Sequence, residues 1–244
     1  PRFEDYNEPE YGDYSTFGPE SLGEVDPRVY FTVSMPGVAF KLRQDPNIVD
    51  NNIYRLDWCR DPADFGPFAT AKQLLPTTDP AIVWINPYLS CTLTQAEYRL
   101  DDLILMKAEA LIETGKWQDA KALVNQIRNR AAASTTYFTA ESLVPTQLVK
   151  IRPYTDAEWS SQDFARKALR WERRLELATE GLRFWDLIRW GIAEETLNKY
   201  YQEEKTRAPY LKDAKFDTSA DTFGPIPNAQ IVLSQGAYKQ HGNY

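Results

Sequence analysis

Arg170 to Gly191 reads RWERRLELATEGLRFWDLIRWG, with charged and large apolar residues interleaved more closely than a simple surface helix requires. Taken as a helix, Phe164, Ala168, Trp171, Leu175 and Ala178 fall at spacings of 4, 3, 4 and 3 and make one apolar stripe. Glu172, Arg173, Arg174, Glu176 and Glu180 ride on its flanks. Gly181 is the expected stop, because glycine takes the left-handed closing conformation without steric cost. A second helix then opens near Arg183, carrying Phe184, Trp185, Leu187, Ile188 and Trp190 among Arg183, Asp186 and Arg189. The expected unit is a helical hairpin with charges of both signs at its seam, and Trp171, Trp185 and Trp190 go to the core. An ion-pair lattice that sets how two helices dock accounts for those charges. The competing reading, a catalytic carboxylate pair, needs a cleft between two elements.

Composition narrows the function classes. A chain of 244 residues holds one large domain or two small ones. Lys plus Arg number 28 against 35 Asp plus Glu, a net charge of −7, which argues against nucleic acid as a partner because phosphate binding rests on clustered cations. No apolar run approaches the roughly 20 residues of a membrane-spanning helix. The sole histidine, His241, is read as a solvated tail residue, so a zinc site or a histidine-dependent triad is not expected, and neither is a cofactor. Cys59 and Cys91 are too few and too far apart for a metal motif; two free thiols or one disulfide both fit the sequence. The chain opens at Pro1-Arg2-Phe3 without an initiator Met or a signal peptide, which suggests part of a longer protein.

Residues 1–95 read as an irregular, loop-rich segment, 96–203 as a helical core and 204–244 as a non-helical tail, the whole being one domain. Val29, Phe31 and Val33 alternate with polar neighbours, Pro36-Gly37 is a turn dipeptide, and 38–42 can return, so a small β-hairpin is expected near 28–34 and 38–42. Residues 44–94 lack a period apart from the short apolar run Ala81–Ile85. Helices are expected near 96–114, 117–133, 157–180 and 183–200. The first carries Leu100, Ile104, Ala108 and Leu111 on one face and ends at Gly115; the second carries Ala120, Val124, Ile127 and Ala131. Ile104, Ala108, Leu111, Gly115, Trp117, Ala120 and Val124 follow the tetratricopeptide (TPR) register, with Lys107 off the pattern. Thr155 and Glu158 make a capping box for the third helix, and Phe223-Gly224-Pro225-Ile226-Pro227 marks a rigid non-helical stretch.

Four blocks stand in a familiar order: RLDDLILMKAEALIETG (Arg99–Gly115), ALVNQIRNRA (Ala122–Ala131), ERRLELATEGLRFWDLIRWG (Glu172–Gly191) and FGPIP (Phe223–Pro227). With Asp26-Pro27-Arg28 they resemble the C-terminal half of the SusD/RagB family, outer-membrane nutrient-binding lipoproteins, over residues 26–244. Leu182 stands where the family often has His, and Gln230 where an acid is common. The resemblance implies a mostly α, TPR-like fold with long irregular loops, and a non-catalytic protein that captures oligosaccharide at the cell surface. It also implies a lipid anchor in the outer membrane, a SusC-like TonB-dependent transporter as partner, and a missing N-terminal half of the same protein as a second partner.

Sugars present apolar faces rimmed by hydroxyls, so a capture site needs flat aromatics plus amide or charged side chains. The irregular region supplies Tyr54, Arg55, Trp58 and Arg60, then Trp84, Asn86 and Tyr88, and these are the expected ligand-binding residues, Trp58 and Trp84 foremost. Two rivals remain. One is a TPR-type protein-interaction scaffold without sugar binding. The other is a helical glycoside hydrolase, which needs two carboxylates facing each other across about 5 to 9.5 Å, whereas Glu172 and Glu176 lie one turn apart on the same helix.

Overall fold

Most of the helix lies from residue 100 onward. The computed structural model describes residues 18–241, except 76–78, 86, 94–95 and 207, and leaves aside the side chains of 63, 64, 88 and 89. Its helices are α1 (Arg28–Thr32), α2 (Pro62–Phe65), α3 (Leu100–Glu113), α4 (Trp117–Ala133), α5 (Gln162–Glu176), α6 (Arg183–Arg189), α7 (Ala193–Glu204), α8 (Thr218–Asp221) and α9 (Asn228–Leu233). Two antiparallel strand pairs accompany them: β1 (Val33–Ser34) with β2 (Ala69–Thr70), and β3 (Ile82–Ile85) with β4 (Tyr88–Cys91). The chain forms two compact units that meet in sequence at Glu180 and Gly181, inside the stretch read from sequence as one helical core.

In the first unit α3, α4 and α5 close around one core. Leu105, Ala108 and Ile112 from α3, Ala120, Val124 and Ile127 from α4, and Ala165, Ala168 and Leu169 from α5 are all buried there, with Tyr154 and Trp159. The α4 face matches its expected stripe, and Ala131 is buried as well. On α3 the buried face is turned by about one residue from expectation: Leu100 is exposed, and Asp101 and Asp102 are buried in its place. On α5 the buried face runs Ala165, Ala168, Leu169, Glu172, Arg173 and Glu176. It is apolar in its first half and charged in its second. A search for apolar periodicity therefore lands on the flank, where Phe164, Trp171 and Leu175 are half-buried.

Glycine and capping chemistry set the helix ends. After α3 and after α6 the chain closes in the same six-to-one pattern: Lys116 N–H donates to Leu111 O at 2.8 Å and Ile192 N–H to Leu187 O at 3.1 Å. Gly115 (φ 82°) and Gly191 (φ 68°) hold the left-handed positions. The Gly191 closure splits the expected helix 183–200 into α6 and α7. Gly181 does not end α5, which stops at Glu176. The last carbonyls there are taken by cations instead, Arg99 Nη2 donating to Glu176 O at 2.6 Å and Lys72 Nζ to the same oxygen. The Thr155–Glu158 box does form, Thr155 N–H to Glu158 Oε2 at 3.0 Å, but it closes a turn. Helix α5 begins later, with Ser161 Oγ accepting from Phe164 N–H at 3.1 Å.

Three further expectations are corrected. Residues 28–32 are helix α1, because Pro27 enters at φ −54° and ψ −29° and Asp26 Oδ1 accepts from Arg28 N–H at 3.0 Å, which starts a helical turn despite the alternating valines. The segment 38–42 turns at Lys41 and Leu42, both at positive φ, and makes no strand; the small β-hairpin of the fold is β3–β4, with Trp84 opposite Leu89. The C-terminal stretch is not free of helix: Asp217 caps α8 by accepting from Ser219 N–H at 2.9 Å, and α9 starts directly after Pro227. His241 lies edge-on to Phe223 with ring centroids 5.3 Å apart.

A second core in the first unit gathers Tyr30, Met35, Val38, Leu42, Phe138, Val144 and Val149. The second unit has its own, built on Leu187, Ala193 and Phe216. Trp185, expected in a core, is exposed, since the short α6 buries Asp186 and Leu187. Among the described residues no helix is long and apolar enough to cross a membrane.

Candidate ligand-binding site

The loop from residue 38 to 60 is built rather than slack. Val38, Leu42 and Tyr54 are buried. Tyr54 N–H donates to Val38 O at 2.9 Å and Gly37 N–H to Tyr54 O at 2.9 Å, so both ends of the loop are tied together. Asn52 clamps its middle, Nδ2 donating to Phe40 O and Arg43 O at 3.0 Å each. Asp50, Asn51 and Asn52 take positive φ in succession, a conformation their short polar side chains tolerate better than most.

Trp58 stands on this frame. Its ring meets buried Tyr54 edge-on, centroids 5.6 Å apart at 81°, and 42% of the residue remains exposed. Burial, first, and the contact with Cys59 push the Tyr54 phenol well above its ordinary pKa, so Tyr54 stays a neutral support. Arg55 is exposed and ion-paired with Asp50 at 2.9 Å and with Asp57, and Arg60 is exposed. Of the seven expected residues, Tyr54 and Trp58 are thus brought into contact, with Tyr54 as support, while the Arg55 side chain turns to Asp50 and Asp57. Trp84 projects from β3 with 69% exposure. Asn86 lies outside the described residues, and Tyr88 is described only as the first residue of β4. Cys59 and Cys91 are separate free thiols.

A second constellation uses residues that the search for ligand-binding side chains passed over. Glu172, wholly buried, accepts from Arg28 Nη1 at 2.6 Å and Arg128 Nη1 at 3.0 Å. One turn on, Glu176 accepts from Arg28 at 3.1 Å, Arg99 at 2.8 Å and Arg130 at 2.6 Å. Asp26 takes Arg28, Asp101 takes Arg99 and Arg130, and Glu180 takes Arg99 and Lys72. Five cations thus face five carboxylates in one connected network. Arg173 pairs with Asp102 at 2.7 Å, both buried. Two carboxylates one turn apart on a buried helix face require cations from elsewhere, and this was the available signal. Arg128 and Arg130 on α4 supply two of them.

Beside this network lies a cavity of about 540 Å³, lined by Arg28, Lys72, Arg99, Arg130 and Glu176 together with Phe31, Ser134, Thr136 and Tyr137. Burial alone would push the Glu176 carboxyl up. The charges of Arg28 and Arg130 and the hydrogen bond and charge of Arg99 outweigh it and hold the group below the ordinary carboxylate range. Glu180 is likewise lowered against its burial, by Arg99 and Lys72. Such groups contribute stability that is present above the unfolded pKa of about 4.3 and lost as pH falls through the lower folded value. Melting temperature should therefore be flat from about pH 8 to 5.5 and fall below about pH 4.5. A melting temperature that rises on acidification from pH 6 to 4 would contradict this.

Among the described residues no group of three or more His, Cys, Asp or Glu is placed to hold a metal ion. The helical scaffold has a solved counterpart. The chain is similar to the crystal structure of a SusD homolog from Bacteroides thetaiotaomicron VPI-5482, with a TM-score of 0.56 at 21% identity over 90% of this chain and 41% of that one. The fold is thus that of a SusD-type helical protein. The model of the SusD family matches residues 3–244, and the chain belongs to that family. It is also similar to SusD-like protein P38 of Formosa agariphila, 38% identical over 100 residues, which is 41% of this chain and 18% of that protein. The chain therefore spans well under half the length of either relative.

Proposed function

We propose that this chain is part of a cell-surface protein that captures oligosaccharide without cleaving it. It delivers the sugar to a SusC-like, TonB-dependent outer-membrane transporter and is held at the outer membrane by an N-terminal lipid. Membership of the SusD family supports the class. The observation that carries the reading is Trp58, a half-exposed ring held edge-on to buried Tyr54, with the exposed Arg55 and Arg60 near it in sequence. A ring held in place before binding loses little entropy when a sugar face stacks on it. Trp84 offers a second exposed face, with Asn86 and Tyr88 close by in sequence. Glu176 and Glu180 are engaged by guanidinium or ammonium groups and held ionised, so neither suits the general-acid role that a glycosidase needs.

In the intact protein, Trp58→Ala should weaken binding of the cognate oligosaccharide by about 2 kcal/mol, roughly thirtyfold, with the fold retained. A glycan array identifies the oligosaccharide and isothermal titration measures the loss. If Trp58→Ala and Trp84→Ala both bind as tightly as the parent, capture takes place elsewhere.

The scaffold reading has an observation of its own. Leu100, Leu103 and Met106 repeat every three residues along the outer side of α3 and are exposed, as suits a helix face that meets another protein surface. That face is compatible with a transporter as the partner.

A further inference from the structure

The charge network is neutral as a whole but layered. Its two carboxylates nearest Arg130 are deep: the side chains of Glu176 and Asp101 are 4% and 10% exposed. Arg130, which binds both, is 55% exposed and lines the 540 Å³ cavity. The charged residues lining the cavity are the cations Arg28, Lys72, Arg99 and Arg130 and the carboxylate of Glu176, on a chain whose net charge is −7.

Of the lining cations, Arg28 is nearly buried and uses four of its five donors, on Asp26, Glu172 and Glu176. Arg99 engages all five of its N–H donors with Asp101, Glu176 and Glu180. Lys72 engages its three with Glu180 and the carbonyls of Glu176 and Ala178. Arg130 differs. Nη1 donates to both oxygens of Asp101 and Nη2 donates once to Glu176, which leaves Nε–H and one Nη2–H without an acceptor among the described residues. A guanidinium with two spare donors suits an oxyanion.

The rest of the lining suits a sugar ring. Tyr137 is 65% exposed and its ring is set edge-on to Phe31, centroids 6.0 Å apart at 87°. Ser134 Oγ donates to Ala131 O at 2.6 Å and Thr136 Oγ1 to Ala133 O at 3.1 Å. Their hydroxyl hydrogens are thus engaged, and their oxygens remain as acceptors for incoming hydroxyl groups.

We propose that this cavity is a binding subsite for an acidic sugar residue, with its oxyanion on Arg130, its ring against Tyr137 and its hydroxyls donating to Ser134 and Thr136. The proposal rests on the capture reading and narrows it to acidic oligosaccharides. The oxyanion is a carboxylate or a sulfate ester, and the probes separate the two. Isothermal titration of the intact protein with an oligogalacturonide (carboxylate alone), a carrageenan oligosaccharide (sulfate ester alone) and maltoheptaose (neutral) should show at least tenfold tighter binding of one acidic probe. That preference should shrink with added salt, and the preferred probe identifies the oxyanion. Arg130→Gln should abolish the preference. Tyr137→Ala, which leaves the ion pairs intact, should weaken the acidic probe about tenfold without moving the melting temperature. Equal binding of acidic and neutral probes, or parent-like acidic binding by both variants, would overturn the proposal. Neutral binding that depends on Trp58, with the acidic probes ignored, would overturn it and leave the capture reading standing. No binding across these probes and a broad glycan array would overturn both.

Discussion

Glu172→Ala should lower the stability of the first unit by about 3–5 kcal/mol, the usual result when one partner of a buried ion pair is removed. Glu172 is fully buried and holds Arg28 and Arg128, themselves nearly buried. Removing its carboxylate leaves Arg128 with one hydrogen bond to Arg152 O and a stacking contact on Tyr154, while its charge is no longer compensated. For a unit of this size the loss corresponds to roughly 6–20 °C in melting temperature. Glu172→Gln, which keeps an acceptor oxygen, should lose less. Circular-dichroism melts of the three proteins check this, and an unchanged melting temperature for Glu172→Ala would contradict a structural role for the network.

Leu169→Ala should cost about 2–5 kcal/mol through the cavity it leaves. Leu169 is fully buried where α3, α4 and α5 meet, in the same cluster as Leu105, Ile112 and Ile127. Small alanines at 108, 120, 165 and 168 bring the helices close there, so the backbone has little room to collapse into the void. Urea unfolding measures the loss. A change under about 0.5 kcal/mol, the range of surface substitutions, would mean that this junction is looser than its burial indicates.

The two predictions also mark where sequence reading succeeds and where it stops. Apolar spacing locates α4, because four of its five buried residues, Ala120, Val124, Ile127 and Ala131, are apolar, and the fifth, Arg128, is buried by its pairing with Glu172. The same method turns α5 to the wrong face. There the buried positions change from Ala168 and Leu169 to Glu172, Arg173 and Glu176, and hydrophobicity cannot register a charge that is buried because it is paired. The partners of those charges come from Arg28, 144 and 148 residues away, and from Arg99, Arg128 and Arg130, distances that no local pattern reports. Alternating valines at 29 and 33 suggest a strand, yet Asp26 and Pro27 impose a helical turn first. For the candidate site, lack of period correctly separated Trp58 and Trp84 from the helical core, since both are exposed. It did not show that Tyr54 is the buried support, nor that the cationic cavity exists. Arg130 and Tyr137 lie at the end of α4 and in the turn after it, and the cavity wall is completed by residues distant in sequence, from α1, Lys72, Arg99 and α5.

Capture without cleavage is tested most directly by incubating the intact protein with the oligosaccharide it retains best on a glycan array, then measuring affinity by titration and chain length by chromatography in the same sample. Saturable binding is expected, weakened roughly thirtyfold by Trp58→Ala, with the oligosaccharide recovered at its original length. Shortened products, or no retained oligosaccharide on the array, would contradict it.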